Sequence, residues 1–269
     1  GTQTIFGTPC NVSIGSSRTT VVTQIESVGN AADEVGPGKE FENIEDYFPA
    51  SVPTFEEPYA AMLNFLATRG WLEGLPLDAQ GILHVSVPFC AGFMECRMLA
   101  GFLERVLLPR PGVEGISILG TDLKPLRSGM WPQKERYVSR KYPRLKLQLR
   151  QVDLASTSLP DAGLTLAVHP EATWDTTWRQ ILGNVIRSTR GGVCCIATYM
   201  EVEMQAVLAV CRPLGVAFEV HENPYYGSHQ PDVVAPLRFL LVARCGSPDA
   251  DVTSAAAPIA WPTTGLKAS

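Results

Sequence analysis

The sequence predicts an α/β protein built on a seven-stranded, mostly parallel sheet, with helices on both faces and an antiparallel last strand. Two observations carry this. From about residue 52 onward, short apolar runs of strand length alternate with stretches of helical period, the pattern of a parallel sheet with right-handed crossovers. The last two runs are joined by a polar loop with no helical stretch between them. A loop that short permits an antiparallel pair, which a parallel crossover would not.

The elements follow in order. Glu56 and Glu57 open a helix in which Tyr59, Met62, Leu63 and Leu66 recur at helical spacing, with Thr54 as its cap and Gly70 as its stop. Ile82, Leu83, Val85 and Val87 form a continuous apolar strand, as suits a strand covered on both faces. Phe93–Leu108 reads as a helix, Ile116–Leu119 as the second strand and Met130–Tyr142 as a polar helix stopped by Pro143. Leu145, Leu147 and Leu149 alternate along a third strand. Gly163–Val168 is the fourth strand, Thr177–Thr189 a helix, Val193–Tyr199 the fifth strand and Glu201–Cys211 a helix. Val216–Glu222 and Leu237–Ala243 complete the sheet.

On this reading residues 1–51 are an N-terminal extension, 52–245 the α/β domain and 246–269 a C-terminal tail rich in Ala, Pro and Ser. The two extensions are the places to expect protein partners. The chain is 45% hydrophobic and 18% charged, enough for a real core. A net charge of −5 and the absence of a long basic run argue against nucleic acid as a partner. No apolar run approaches the ~18 residues needed to span a bilayer. Seven cysteines, an odd number scattered through apolar segments, make no disulfide framework and no zinc-finger pair, so no metal is expected and a reducing compartment, cytoplasmic or organelle matrix, is.

The stretch Ile82–Pro125 organises the rest: strand, turn, helix, strand, then an acid. Open parallel sheets hold nucleoside-type ligands over such strand ends. Asp122, in Gly120-Thr121-Asp122-Leu123-Lys124-Pro125, is placed to receive a ribose diol, and would serve equally as a turn former. Asp153 ends the third strand, where an aspartate is also common as a turn residue. At the fourth strand end, His169 is a candidate general base and Glu171 its acidic neighbour; a strand-end histidine bonded to backbone is the plainer alternative. Tyr225, Tyr226 and His229, in the loop before the last strand, could line a substrate pocket or pack as surface loop.

The order of elements and these positions resemble the class I S-adenosylmethionine-dependent methyltransferases, with a Rossmann-like seven-stranded sheet. The resemblance spans about residues 52–244. It implies that Ser86, Pro88, Cys90 and Gly92 stand where the family's first motif has an acid and spaced glycines. It implies that Asp122 and Asp153 address ribose and adenine, and that S-adenosylmethionine is the cofactor. Only Gly92 matches the glycine pattern. Proline has no N–H and a fixed φ, and glycines are what let a backbone approach such a ligand. Two functions therefore stand side by side: a methyltransferase acting on a small molecule or a protein, and a catalytically inactive chain of the same fold serving as a structural subunit. A nucleotide-dependent oxidoreductase is a third reading, against which the glycine shortage weighs equally.

Overall fold

The computed structural model describes residues 53–123, 130–170, 177–228, 235–246 and 259–261. The N-terminal extension, Thr54's proposed capping side chain, Glu171 and His229 lie outside the described residues.

Twelve principal elements form among the described residues: α1 (Pro53–Thr68), β1 (Ile82–Pro88), α2 (Cys96–Phe102), β2 (Gly115–Asp122), α3 (Trp131–Lys141), β3 (Leu145–Gln151), β4 (Leu164–Val168), α4 (Thr177–Arg187), β5 (Val193–Thr198), α5 (Glu201–Cys211), β6 (Glu219–Glu222) and β7 (Phe239–Arg244). One sheet holds all seven strands in the order β3-β2-β1-β4-β5-β7-β6. The pairs from β3 through β5 are parallel, and β7 runs antiparallel to both β5 and β6. This is the mostly parallel sheet with an antiparallel last strand that the sequence predicts.

Alternation along the strands divides the core. Leu83, Val85 and Val87 of β1 and Ile116 and Ile118 of β2 face α1, α2 and α3. Cys194 and Ile196 of β5 face α4 and α5 on the other side, against Leu182, Ile186, Met204 and Val207. Burying a side chain of this size contributes about 1.5–3 kcal/mol, so the two apolar faces dominate the domain's stability.

Two details differ from the predicted elements. The helix expected over Phe93–Leu108 starts only at Cys96, and from Leu103–Leu107 it widens into a π turn with Leu108 N–H donating to the Leu103 carbonyl at 2.9 Å. The predicted strand Val216–Glu222 shortens to Glu219–Glu222, at the sheet edge. As the sequence predicts, β3 passes to β4 without a helix. That side of β1 and β2 is covered by Val152, Leu154 and Leu159, by Ile181 and Val185 of α4, and by Ile259 and Trp261 of the tail. The Trp261 ring stacks on His84 at 4.4 Å, and its indole N–H donates to the Asp161 carbonyl at 3.0 Å.

Gly191 and Gly192 precede β5 for a steric reason. Gly191 has φ +66°, and a Cβ on Gly192 would lie 2.1 Å from the Gly163 carbonyl oxygen. Only glycine allows β4 and β5 to start this close together.

Candidate functional site

The C-terminal ends of β1, β2, β4 and β5 bring together most of the residues singled out from sequence. The turn after β1 is the centre. Phe89, Ala91 and Phe93 have φ of 61°, 42° and 53°, whereas Gly92 is not left-handed. Three non-glycine residues thus occupy the conformation glycine is suited to, at about 1–3 kcal/mol each. Such strain persists only where surrounding contacts enforce it, and those contacts are present. Cys90 N–H donates to the Thr121 carbonyl at 3.0 Å and Phe93 N–H to the Cys90 carbonyl at 2.5 Å. Ala91 N–H donates to Asp122 Oδ2 at 2.8 Å. The Trp131 indole donates to the Ala91 carbonyl at 3.0 Å. Lys134 Nζ donates to the Phe93 carbonyl at 2.9 Å and also to that of Gly92. Phe93 is buried in the main core, while Phe89 meets Trp178 of α4 edge-on at 5.0 Å. Cys90 occupies a notch left by Gly120, where an added Cβ would come within 3.2 Å of the sulfur.

Two ionisable side chains lie beneath this turn. Lys134 is 2% exposed and Glu95, the residue preceding α2, is 6% exposed. Burial pushes the Glu95 carboxyl up to about 7, against opposing pulls from its own backbone N–H and the Lys134 charge. The same burial, reinforced by Glu95, raises the Tyr59 hydroxyl and the Cys90 thiol. Sequence reading did not pick out Glu95 or Lys134. The only available signal was two charged residues at positions where the helical pattern calls for apolar ones.

Asp122 therefore stands at the expected strand end, with one carboxylate oxygen engaged by the turn after β1. Asp153 closes a local turn: Oδ1 accepts from Ala155 N–H and Oδ2 from the Ser156 hydroxyl, both at 2.9 Å. Ser86 is buried within β1, its hydroxyl without a partner.

At the end of β4, His169 has φ 51° and its N–H donates to the Ala197 carbonyl at 2.8 Å. Its ring stacks on Tyr199 at 4.0 Å, and Nδ1 lies 3.4 Å from Glu203 Oε1. The His169 side chain is 37% exposed and that of Glu203 2%. The other Glu203 oxygen accepts the N–H groups of Tyr199 and Met200 at 2.8 and 3.2 Å, which fixes the carboxylate. A buried, backbone-anchored carboxylate 3.4 Å from one ring nitrogen orients the imidazole. Glu203 was not picked out either. Its approach to His169 needed the fold. Tyr226 donates its hydroxyl to the Pro236 carbonyl at 2.7 Å and meets Tyr225 edge-on at 5.0 Å. Both side chains have contacts of their own within the loop.

No protein-family model matches the chain, and no curated protein does. Among solved structures, it is similar to the CMeT domain of the citrinin polyketide synthase, with 14% identity over 77% of this chain and 60% of that one and a TM-score of 0.45. It is similar to a TehB-like S-adenosylmethionine-dependent methyltransferase from Corynebacterium glutamicum, with 18% identity over 71% and 97% of the two chains and a TM-score of 0.39. It is also similar to magnesium protoporphyrin IX methyltransferase from Synechocystis with bound S-adenosylmethionine, with 12% identity over 77% and 86% and a TM-score of 0.45. The strand order and the single reversed strand are those of the Rossmann-like methyltransferase fold, and the chain has that fold.

The first turn tests whether its residues fit the cofactor the fold implies. Pro88 offers no N–H, and those of Cys90, Ala91 and Phe93 point to the chain's own acceptors. The carbonyls of Ala91, Gly92 and Phe93 are taken by α3 side chains. With three of its N–H groups already engaged, the turn presents fewer donors to S-adenosylmethionine than a glycine-lined turn does.

Proposed function

We propose that this domain is a methyltransferase-fold protein that does not hold S-adenosylmethionine over its first turn, and that it serves as a non-catalytic, structural member of the fold. The observation that supports this reading is the turn itself, in which Asp122 accepts the Ala91 N–H while Trp131 and Lys134 hold the carbonyls of Ala91, Gly92 and Phe93. The extensions on either side of the domain are the proposed sites of assembly with other proteins.

Thermal unfolding with S-adenosylmethionine and S-adenosylhomocysteine tests it. A ligand at a hundred times its dissociation constant would stabilise the fold by about 2.7 kcal/mol, a rise of roughly 5–10 °C at about 2–4 °C per kcal/mol. The proposal expects no shift at millimolar ligand. A saturable shift that Asp122→Ala abolishes would overturn it.

A second reading, an S-adenosylmethionine-dependent methyltransferase, is favoured by one specific feature, the His169–Glu203 pair. An oriented, partly exposed imidazole at a strand end is suited to taking a proton from an acceptor hydroxyl. This reading expects transfer of labelled methyl to some acceptor in a cell extract, reduced at least tenfold by His169→Ala. The acceptor, whether small molecule or protein, would be identified by where the label goes.

A further inference from the structure

The sheet face left without a helix between β3 and β4 is closed in part by residues 259–261. Ile259 and Trp261 pack against the cluster of Leu154, Leu159 and Val185, and Ala260 between them is exposed. Both anchors stay partly exposed, whereas a segment built permanently into the core would be buried as Leu182 and Ile186 of α4 are. The main-chain bond of this segment, from Ile259 N–H to the Ser158 carbonyl, is long at 3.4 Å. The occupant is therefore held by a small contact.

The surface that receives it is built from other parts of the chain. Asp78, ahead of β1, is fixed by the N–H groups of Gln80 and Ile82, which donate to Oδ1 at 2.9 and 2.8 Å. Its other oxygen accepts from His84 Nε2 at 2.9 Å, which sets the imidazole as a platform. The Trp261 ring stacks on that platform at 4.4 Å, with 28° between the planes. The acceptor for the indole is set as firmly. The Asp161–Ala162 peptide donates its N–H to the Ser188 carbonyl at 2.7 Å, and its own carbonyl accepts the indole N–H at 3.0 Å. Gly163 N–H donates to the His84 carbonyl at 2.9 Å and so ties acceptor to platform. A flat ring with a fixed acceptor beside it selects a large aromatic side chain that carries an N–H donor, which is tryptophan. Two positions earlier the groove takes an aliphatic side chain. Alternate side chains in pockets, with a main-chain bond between them, is how extended peptides are recognised. A preorganised surface also lowers the cost of binding each new occupant.

We propose that this groove is a peptide-recognition site for an extended segment with an aliphatic residue two positions before a tryptophan. The chain's own residues 259–261 fill it in cis, and a segment of the same chemistry on a partner protein occupies it by displacing them. The site does not depend on whether the first turn holds a cofactor.

The test is an amide chemical-shift titration of the isotope-labelled full chain, and of its Trp261→Ala variant, with a synthetic peptide of residues 256–264, Ala-Ala-Pro-Ile-Ala-Trp-Pro-Thr-Thr. Saturable shifts at His84, Ala162 and Gly163 are expected in the variant, whose groove has lost its own tryptophan. A tethered segment competes at an effective concentration on the order of 1 mM, so for a peptide of about 0.1 mM affinity the native chain should bind roughly tenfold more weakly. The native titration stands by itself if Trp261→Ala does not fold. A peptide with phenylalanine in place of tryptophan loses the indole donor and should bind about fivefold more weakly. One with alanine there should not bind. His84→Ala should abolish the shifts at Ala162 and Gly163. No binding to either protein at millimolar peptide would overturn the proposal. So would binding that His84→Ala leaves unchanged, or free tryptophan competing as well as the peptide. A concentration-dependent dimer that Trp261→Ala abolishes would overturn it in favour of a second copy as the occupant.

Discussion

Replacing Glu95 with Gln tests the electrostatics beneath the first turn most directly. The carboxyl is buried and holds its proton up to about pH 7, against an ordinary value of 4.5. At 1.36 kcal/mol per unit, that difference amounts to about 3 kcal/mol. The sign follows from linkage: the folded chain binds this proton more tightly than the unfolded chain does. The stabilisation is therefore fully present below about pH 4.5, is lost as pH rises to about 7 and is absent above that. Glutamine is the neutral isostere of the protonated acid. E95Q should match the native chain near pH 4.5 and exceed its stability by up to about 3 kcal/mol at pH 8. Urea unfolding of both proteins at several pH values between these limits measures the difference. A difference that stays flat with pH, or a native chain that gains on E95Q as pH rises, would refute the reasoning. Lys134→Met adds a control. Its charge opposes the rise in the Glu95 value, so its removal should move the native chain's loss of stability to higher pH.

Three further substitutions probe the same frame. Ala91→Gly relieves a left-handed residue at φ 42°, and should stabilise by about 0.5–1 kcal/mol after the greater freedom of the unfolded chain is offset, read from denaturant midpoints. Asp122→Ala removes the carboxylate that accepts Ala91 N–H at 2.8 Å; a charge-assisted bond of this kind contributes about 1.5–3 kcal/mol, and amide exchange at Ala91 should accelerate with it. Asn223→Ala breaks a fully buried amide that donates to the Pro58 and Leu237 carbonyls at 2.9 and 3.0 Å and accepts from Tyr225 N–H at 3.1 Å. It should cost about 2–4 kcal/mol in equilibrium unfolding, because it ties α1 to the loop between β6 and β7.

Much of the fold was legible because its signals are local. Residues 201–211 match the predicted helix at both ends, and β1, β4 and β5 match their predicted strands within a residue. Apolar period and glycine punctuation are properties of neighbouring residues. The Gly191-Gly192 turn was legible for the same reason, although its purpose, the close approach to Gly163, was not. The site was less legible. Asp122 was placed correctly at its strand end, yet its hydrogen bond to Ala91 spans thirty-one positions in sequence. Asp153 turned inward to its own turn, the reading sequence had allowed equally with the functional one. Glu95, Lys134 and Glu203 drew no attention in sequence because burial is what makes a charged side chain unusual, and burial is decided by the fold.

Composition and periodicity alone determined the class of the protein: a sheet of seven strands, their approximate limits and the reversed final strand, since each depends on contacts between near neighbours. They also determined that the first turn holds a proline, a cysteine and one glycine, Gly92. Only the tertiary structure decided what that composition means. Trp131 and Lys134, on a helix some forty residues downstream, reach the carbonyls of this turn, and the contacts from α3 and β2 hold three non-glycine residues left-handed. A turn that sequence could describe only as departing from a pattern is, in three dimensions, satisfied by the chain's own side chains.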